Sequence, residues 1–222
     1  LGHFYFARLG HYHFAVTAFG TANTYSSITG TSLTYAFTAP ATANTLLIVD
    51  IFIGSNSDLV TGVTYNGVSL TRLAWVTNVN NSSSKYMYYL VAGTPDGNSH
   101  NVVISTSSST LIVSTAATYT GVKQEAPEAS NTANNSNSSS LSVSVTTLTN
   151  NAWVIASFRS SNGTGSAGAD TFIRSTNFVD KLIEYSSNPK TPAGSVTLNM
   201  VSIDTNPAWS NIFIAASIAP AP

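Results

Sequence analysis

Apolar residues in this 222-residue chain recur at every second position or in short unbroken runs, and almost nowhere at the three-and-four spacing of an amphipathic helix. Successive side chains of a strand point to opposite faces, so a chain patterned this way buries its apolar half by pairing strands into sheets. In "LSVSVTTL", Leu141, Val143 and Val145 point one way and Ser142, Ser144 and Thr146 the other, which predicts a strand with one wet face. "TLLIVDIFIG", "NAWVIASF" and "NIFIAASIA" are apolar at nearly every position and predict central strands covered on both faces. Strands are predicted at residues 3–9, 11–19, 32–38, 45–53, 60–65, 68–77, 85–92, 100–106, 110–118, 141–148, 152–159, 171–175, 181–185, 195–201 and 211–218. Turn chemistry separates them: Asn66-Gly67 fits a type I′ hairpin, and "GTPDGNSH" is a loop carrying Pro95, Asp96 and Gly97. The predicted fold is all-β, a jelly-roll-like antiparallel β-sandwich.

Charged residues make up only 8 % of the chain and the net charge is −1. No basic patch answers a phosphate backbone, so nucleic acid is not an expected partner. Ser, Thr and Asn carry the surface instead, which leaves little charge to titrate, to screen or to keep copies apart. Cysteine is absent, which removes thiol catalysis, disulfides and thiolate metal sites. No apolar run reaches the roughly 18 residues of a membrane-spanning helix. His11, His13 and Arg8 interrupt the opening segment, which argues against a signal-peptide core or a long pilin helix there. Three low-complexity stretches, 80–84, 129–140 ("ASNTANNSNSSS") and 160–169, are predicted to be exposed loops.

The chain opens with a near-repeat. Gly2-His3-Phe4-Tyr5-Phe6-Ala7 returns eight residues later as Gly10-His11-Tyr12-His13-Phe14-Ala15. An even spacing preserves the side of an extended strand. Phe4, Phe6, Tyr12, Phe14, Val16 and Ala18 therefore share one face, with His3, Tyr5, Ala7, His11, His13 and Thr17 opposite and Leu9 and Phe19 out of pattern. Residues 1–19 would reach roughly 60 Å when extended, against about 17–20 Å for a usual strand. The segment either folds back at Gly10 or leaves its own domain. The predicted organisation is an N-terminal β arm (1–19), a hinge (20–27) and a sandwich head (28–222).

Chemistry-bearing residues are sparse. Asp50 interrupts "LLIVDIFI", and a buried carboxylate must be paired or protonated. It could pair with a lysine, or catalyse a Lys–Asn isopeptide crosslink of the kind found in some surface adhesins; a hydrogen-bonded core aspartate, or one at a strand bend, is the stronger reading. His11 and His13 share a face but have no carboxylate nearby in sequence, so they read as the polar side of a strand rather than a metal site. GxSxG, HExxH and P-loop motifs are absent, and no cofactor is expected. Tyr86, Tyr88, Tyr89 and Trp75 could form a sugar platform, with packing in the sandwich core or at a subunit contact the stronger reading. Asn80, Asn81, Asn134, Asn137 and Asn162 open N-x-Ser/Thr sequons and are the candidate N-glycosylation sites.

"VTYNGVSLTRLAWVTN", "YYLVAGTPDGNSHNVVIS" and "ATYTGV" resemble a β-sandwich module of bacterial surface and phage-tail proteins, over about residues 45–122. That resemblance implies no catalytic residues. The arm, the single head and the sequon-rich loops together resemble donor-strand-linked extracellular filament subunits such as the archaeal threads. This second resemblance implies a non-enzymatic, extracellular structural subunit. It would polymerise head-to-tail with copies of itself by inserting Phe4, Phe6, Tyr12, Phe14, Val16 and Ala18 into a neighbour's groove, with glycans as covalent additions. The alternative is a carbohydrate-binding or phage-fibre module with the opening strands packed in its own sandwich, and a glycan hydrolase ranks third.

Overall fold

The computed structural model describes residues 18–22, 26–78, 82–135, 138–160, 165–177, 180–185, 189–201, 203 and 211–222. Every regular element among them is a strand and every pairing is antiparallel. In chain order they are β1 (Ala18–Ala22), β2 (Ser26–Thr38), β3 (Thr45–Ile53), β4 (Val60–Tyr65), β5 (Val68–Ser69), β6 (Thr71–Asn78), β7 (Ser83–Gly93) and β8 (Ser99–Thr120). Then follow β9 (Ala129–Asn135), β10 (Ser140–Thr146), β11 (Trp153–Ser160), β12 (Ser166–Ala167), β13 (Thr171–Asn177), β14 (Asp180–Tyr185), β15 (Ser195–Val201) and β16 (Asn211–Ile218).

The first sheet is ordered β5-β4-β8-β3-β7-β6, with β1 and β2 also on β8; the second is β13-β14-β11-β16-β9; the third is β10-β15-β12. The 22-residue β8 is the spine of the first sheet. One of its edges carries β2 and then β1, and the other carries β4 and then β3. Where Gly30 and Ser32 face Thr110 and Ser105, the register jumps and the extra residues of β8 bulge outward. A bulge bends its strand and sharpens the twist. The first sheet thereby curls around a core of its own, which includes Leu33, Tyr35, Phe37, Val49, Ile51 and Ile104.

The other face of β3 supplies Leu46 and Ile48 to a second core, shared with Trp153, Ile155, Ile214 and Ile218 of the second sheet. The far face of that second sheet supplies Val154, Phe158 and Phe213 to a third core against Leu141, Val143, Leu198 and Met200. Three cores therefore alternate with three sheets. Strands β3, β11 and β16, which each separate two cores, are buried along their whole length. Their unbroken apolar runs follow from having no wet face. Strand β10 lies in the outer sheet and alternates buried and exposed, as "LSVSVTTL" predicts.

Several boundaries differ from the sequence reading. Residues 100–106 and 110–118 form one strand, because the polar run between them bulges while the chain stays extended. Residues 68–77 form two, β5 and β6, divided at Leu70. The low-complexity stretch 129–140 is not simply a loop: β9 pairs Ala129–Asn135 with β16. Its polar residues suit a sheet edge, where Asn131 Nδ2 and Asn135 Nδ2 donate to the carbonyls of Ser144 and Ser140. Ser83 and Ser84 belong to β7, and Ser166 and Ala167 form β12. Residues 20–22 and 26–27 of the expected hinge are strand, in β1 and β2. Ala18 and Phe19, the end of the expected arm, pair with Thr120 and Tyr119 of the same chain. Phe4, Phe6, Tyr12, Phe14 and Val16 lie outside the described residues.

The β4–β5 hairpin turns at Asn66 (φ 50°) and Gly67 (φ 75°), the two positive angles of a type I′ turn. Nothing lies within 4 Å of a Cβ added at Gly67 or at Gly62 in β4, so added bulk is harmless at both. Only Gly67 sits in the left-handed region. Gly67→Ala should therefore cost about 1–2 kcal/mol from backbone strain alone. Gly62→Ala should be neutral or stabilising by up to about 1 kcal/mol, as measured by chemical denaturation.

Candidate functional site

The layer between the first two sheets is apolar at one end and polar at the other. Asp50 follows Leu46 and Ile48 on the same face of β3, opposite Met87 on β7 and Thr115 on β8. Lys85 of β7 stands opposite Phe52, one pair further along that face. The Lys85 ammonium donates to Asp50 Oδ2 at 2.8 Å, with the two side chains 0 % and 2 % exposed. From the facing sheet, Arg159 of β11 lays its guanidinium over the Phe52 ring, 3.2 Å from the centroid. On the opposite face, Tyr35 and Ser114 hydroxyls bond at 2.9 Å and Ser114 Oγ donates to the Asp50 carbonyl, tying β2, β8 and β3. Burial pushes the Tyr35 phenol well above its ordinary range. Pairing Asp50 with a lysine is one of the roles read from the sequence, and Asp50 is a hydrogen-bonded aspartate of the buried layer as the stronger reading had it. Two charges taken out of water at a cost of several kcal/mol each are tolerable only in such an arrangement.

The aromatic residues of "KYMYYL" serve the core. Tyr86 and Tyr88 are buried, and burial holds the Tyr86 phenol up at about 12. The Tyr86 hydroxyl accepts from the Leu59 amide at 3.1 Å and donates to the Ser57 carbonyl at 3.3 Å. Trp75 stacks on Tyr86 at 6.1 Å while remaining 39 % exposed. It is the exposed member of the expected platform, beside the Arg72–Asp58 ion pair that spans β6 and the loop before β4.

A recess of about 300 Å³ opens between the β4–β5 hairpin and the end of β7, lined by Tyr65, Asn66, Val68, Leu90, Asp96 and His100. His100 Nε2 meets both Asp96 carboxylate oxygens at 3.0 and 2.9 Å, and the Asn98 amide donates to Oδ1 at 2.9 Å. The Asn98 amide first, then His100, holds the exposed Asp96 carboxyl down at about 2. A second recess of about 440 Å³ shares Asn66 and His100. A third, about 530 Å³, lies among Lys123, Asn150, Asn151, Thr191, Pro220 and Pro222. Ala18 pairs with Thr120, and Val122 bridges to Pro220, so the first described strand and the chain's last residues meet near this third recess. Among the sequons, Asn134 is exposed on the edge strand β9; Asn80, Asn81, Asn137 and Asn162 lie outside the described residues. No helix is long and apolar enough to cross a membrane among the described residues.

No protein-family model and no curated protein matches the chain. Among solved structures, it is similar to a conserved Pseudomonas aeruginosa protein of unknown function at TM-score 0.33 and 9 % identity, over 87 % of this chain and 77 % of that one. It is similar to a chain of the Sulfolobus Turreted Icosahedral Virus at TM-score 0.26 and 12 % identity, over 89 % and 60 %. It is similar to the pilus backbone of Streptococcus pneumoniae at TM-score 0.19 and 10 % identity, over 88 % and 74 %. All three scores fall below the level that establishes a shared fold.

Removing Lys85 would strand a buried carboxylate. Lys85→Met should cost about 3–5 kcal/mol. Adding Asp50→Leu to that variant should return stability rather than remove more, because it takes away the uncompensated group. Urea unfolding of the two variants side by side checks the order.

Proposed function

We propose that the chain is a non-enzymatic structural subunit of an extracellular filament, joined head-to-tail by its N-terminal strand. The observation that carries this reading is the placement of β1. It adds to β8 beyond the end of β2, with Ala18 opposite Thr120 at the last position of β8. The first described residue thus lies at the end of the sheet. Those preceding residues, 1–17, hold the repeated aromatic pattern and can span about 56 Å when extended.

Donating them to a neighbouring copy would satisfy backbone groups and an apolar groove together. Phe4, Phe6, Tyr12, Phe14 and Val16 would be the inserted face, with Ala18 as the first residue anchored at home. Five such side chains contribute roughly 7–15 kcal/mol before ordering costs. A contact of this kind that does not close into a ring gives a filament. A charge-poor surface supports the same reading, since copies would pack without repulsion. In an exporting cell with the required machinery, exposed Asn134 would carry a glycan on the side of the subunit.

A second reading, a carbohydrate-binding module, is favoured by the recess where Asp96, His100 and Asn66 stand beside Leu90 and Val68. Small ligand sites combine apolar lining with a few fixed polar groups in this way.

Deleting residues 1–17 separates the two. On the filament reading, negative-stain images of the full chain show polymers, and the truncated chain is a folded monomer by size-exclusion chromatography. Tyr12→Ser with Phe14→Ser should stop assembly, while Phe4→Ser with Phe6→Ser should only loosen it, because the second hexamer lies nearer the body. A full chain that stays monomeric, or a truncated chain that still polymerises, removes the donor-strand reading.

A further inference from the structure

We propose that Lys85 and Asp50 condense into an intramolecular amide, Lys85 Nζ to Asp50 Cγ, which crosslinks the adjacent strands β7 and β3. The two groups are already in contact, 2.8 Å from nitrogen to carboxylate oxygen, with both side chains shut off from water. A contact that short leaves the nitrogen close to the roughly 3–3.5 Å from which reacting atoms combine. Backbone pairing on both sides holds them there: Lys85 lies opposite Val76 and Phe52, and Asp50 opposite Met87 and Thr115.

The atoms balance without an outside reagent. A proton passes along the hydrogen bond from the ammonium to the carboxylate, leaving a neutral amine and a neutral acid. The nitrogen lone pair forms a bond to Cγ. The tetrahedral adduct then breaks one C–O bond, and that oxygen departs as water with the second proton given up by nitrogen. Nζ exchanges two N–H bonds for one N–C bond, and nothing is oxidised or reduced.

The surroundings supply the bias. In water, hydration stabilises the ammonium and carboxylate and opposes condensation. In this layer hydration is lost and each ion carries a desolvation penalty, which the neutral amide escapes. Arg159 keeps a fixed positive charge over Phe52, the next residue on the same face of β3. Positive charge in a water-poor layer favours the oxyanion of the adduct. Asp50 is here the acyl partner, not the catalyst of a Lys–Asn bond, because its own carboxyl is what lies against Nζ.

The test is the intact mass of the full chain, purified and denatured. The amide predicts a mass about 18 Da below that of the sequence, the water lost. Trypsin should then fail to cut after Lys85, and residues 73–123 should elute covalently joined to residues 9–72. Lys85→Arg keeps a cation but lacks the amine, and should return the mass to the sequence value. If that variant does not fold, the digest of the unmodified chain still decides. An unshifted mass with free peptides ending at Lys85 overturns the proposal. The result is independent of whether the chain polymerises.

Discussion

The constraint on which the rest of the structure depends is that the central strands of two successive sheets are buried on both faces. Strand β3 gives Leu47, Val49 and Ile51 to one core and Leu46 and Ile48 to the next. Strand β11 repeats the arrangement with Ile155 on one side and Phe158 on the other. A strand in that position has nowhere to place a solvated polar group. Asp50 is therefore held against Lys85, and Arg159 is laid along an aromatic ring. The curl of the first sheet at the β2–β8 bulge follows from the same demand, because an inner face with no partner sheet must be covered by its own strands.

Charge and polarity are distributed accordingly. Arg72–Asp58 and Lys123–Glu125 are exposed pairs, each contributing about 0–1 kcal/mol. The Lys85–Asp50 pair differs in kind, because breaking it leaves an unsolvated charge. Elsewhere Ser, Thr and Asn satisfy the edges. Thr147 and Gly194 exchange hydrogen bonds, Glu128 accepts from Leu148 and Ser217, and Asn131 and Asn135 reach the carbonyls of the strand beside them. This chemistry changes little with salt, which suits the extracellular structural role proposed above.

The strands whose character is local were legible in the sequence. Residues 45–53, 60–65, 195–201 and 211–218 match β3, β4, β15 and β16, because apolar content and turn residues define them without reference to neighbours. Strand β9 was not, since nothing in "ASNTANN" is apolar enough to mark a strand; the exposed edge of β16 recruits it through backbone bonds. The union of 100–106 with 110–118 was likewise invisible, because it depends on β2 running past both halves. Asp50 announced itself by breaking an apolar run. Its partner did not, since Lys85 stood at the start of a predicted strand, where a lysine is ordinary, and only the β3–β7 register places it opposite Phe52. Tyr86 and Tyr88 share a face as predicted, and the curl of the first sheet turns that face inward.

Native-state hydrogen exchange tests the two-face burial most directly. Amides in the interiors of β3 and β11 should exchange only when the whole molecule unfolds, with one shared opening free energy, while the edge strand β9 exchanges earlier through local opening. Exchange in β11 that runs well ahead of β3 would mean that the second sheet detaches while the first stays folded. That result would contradict a structure in which the first two sheets each bury one face in the core they share.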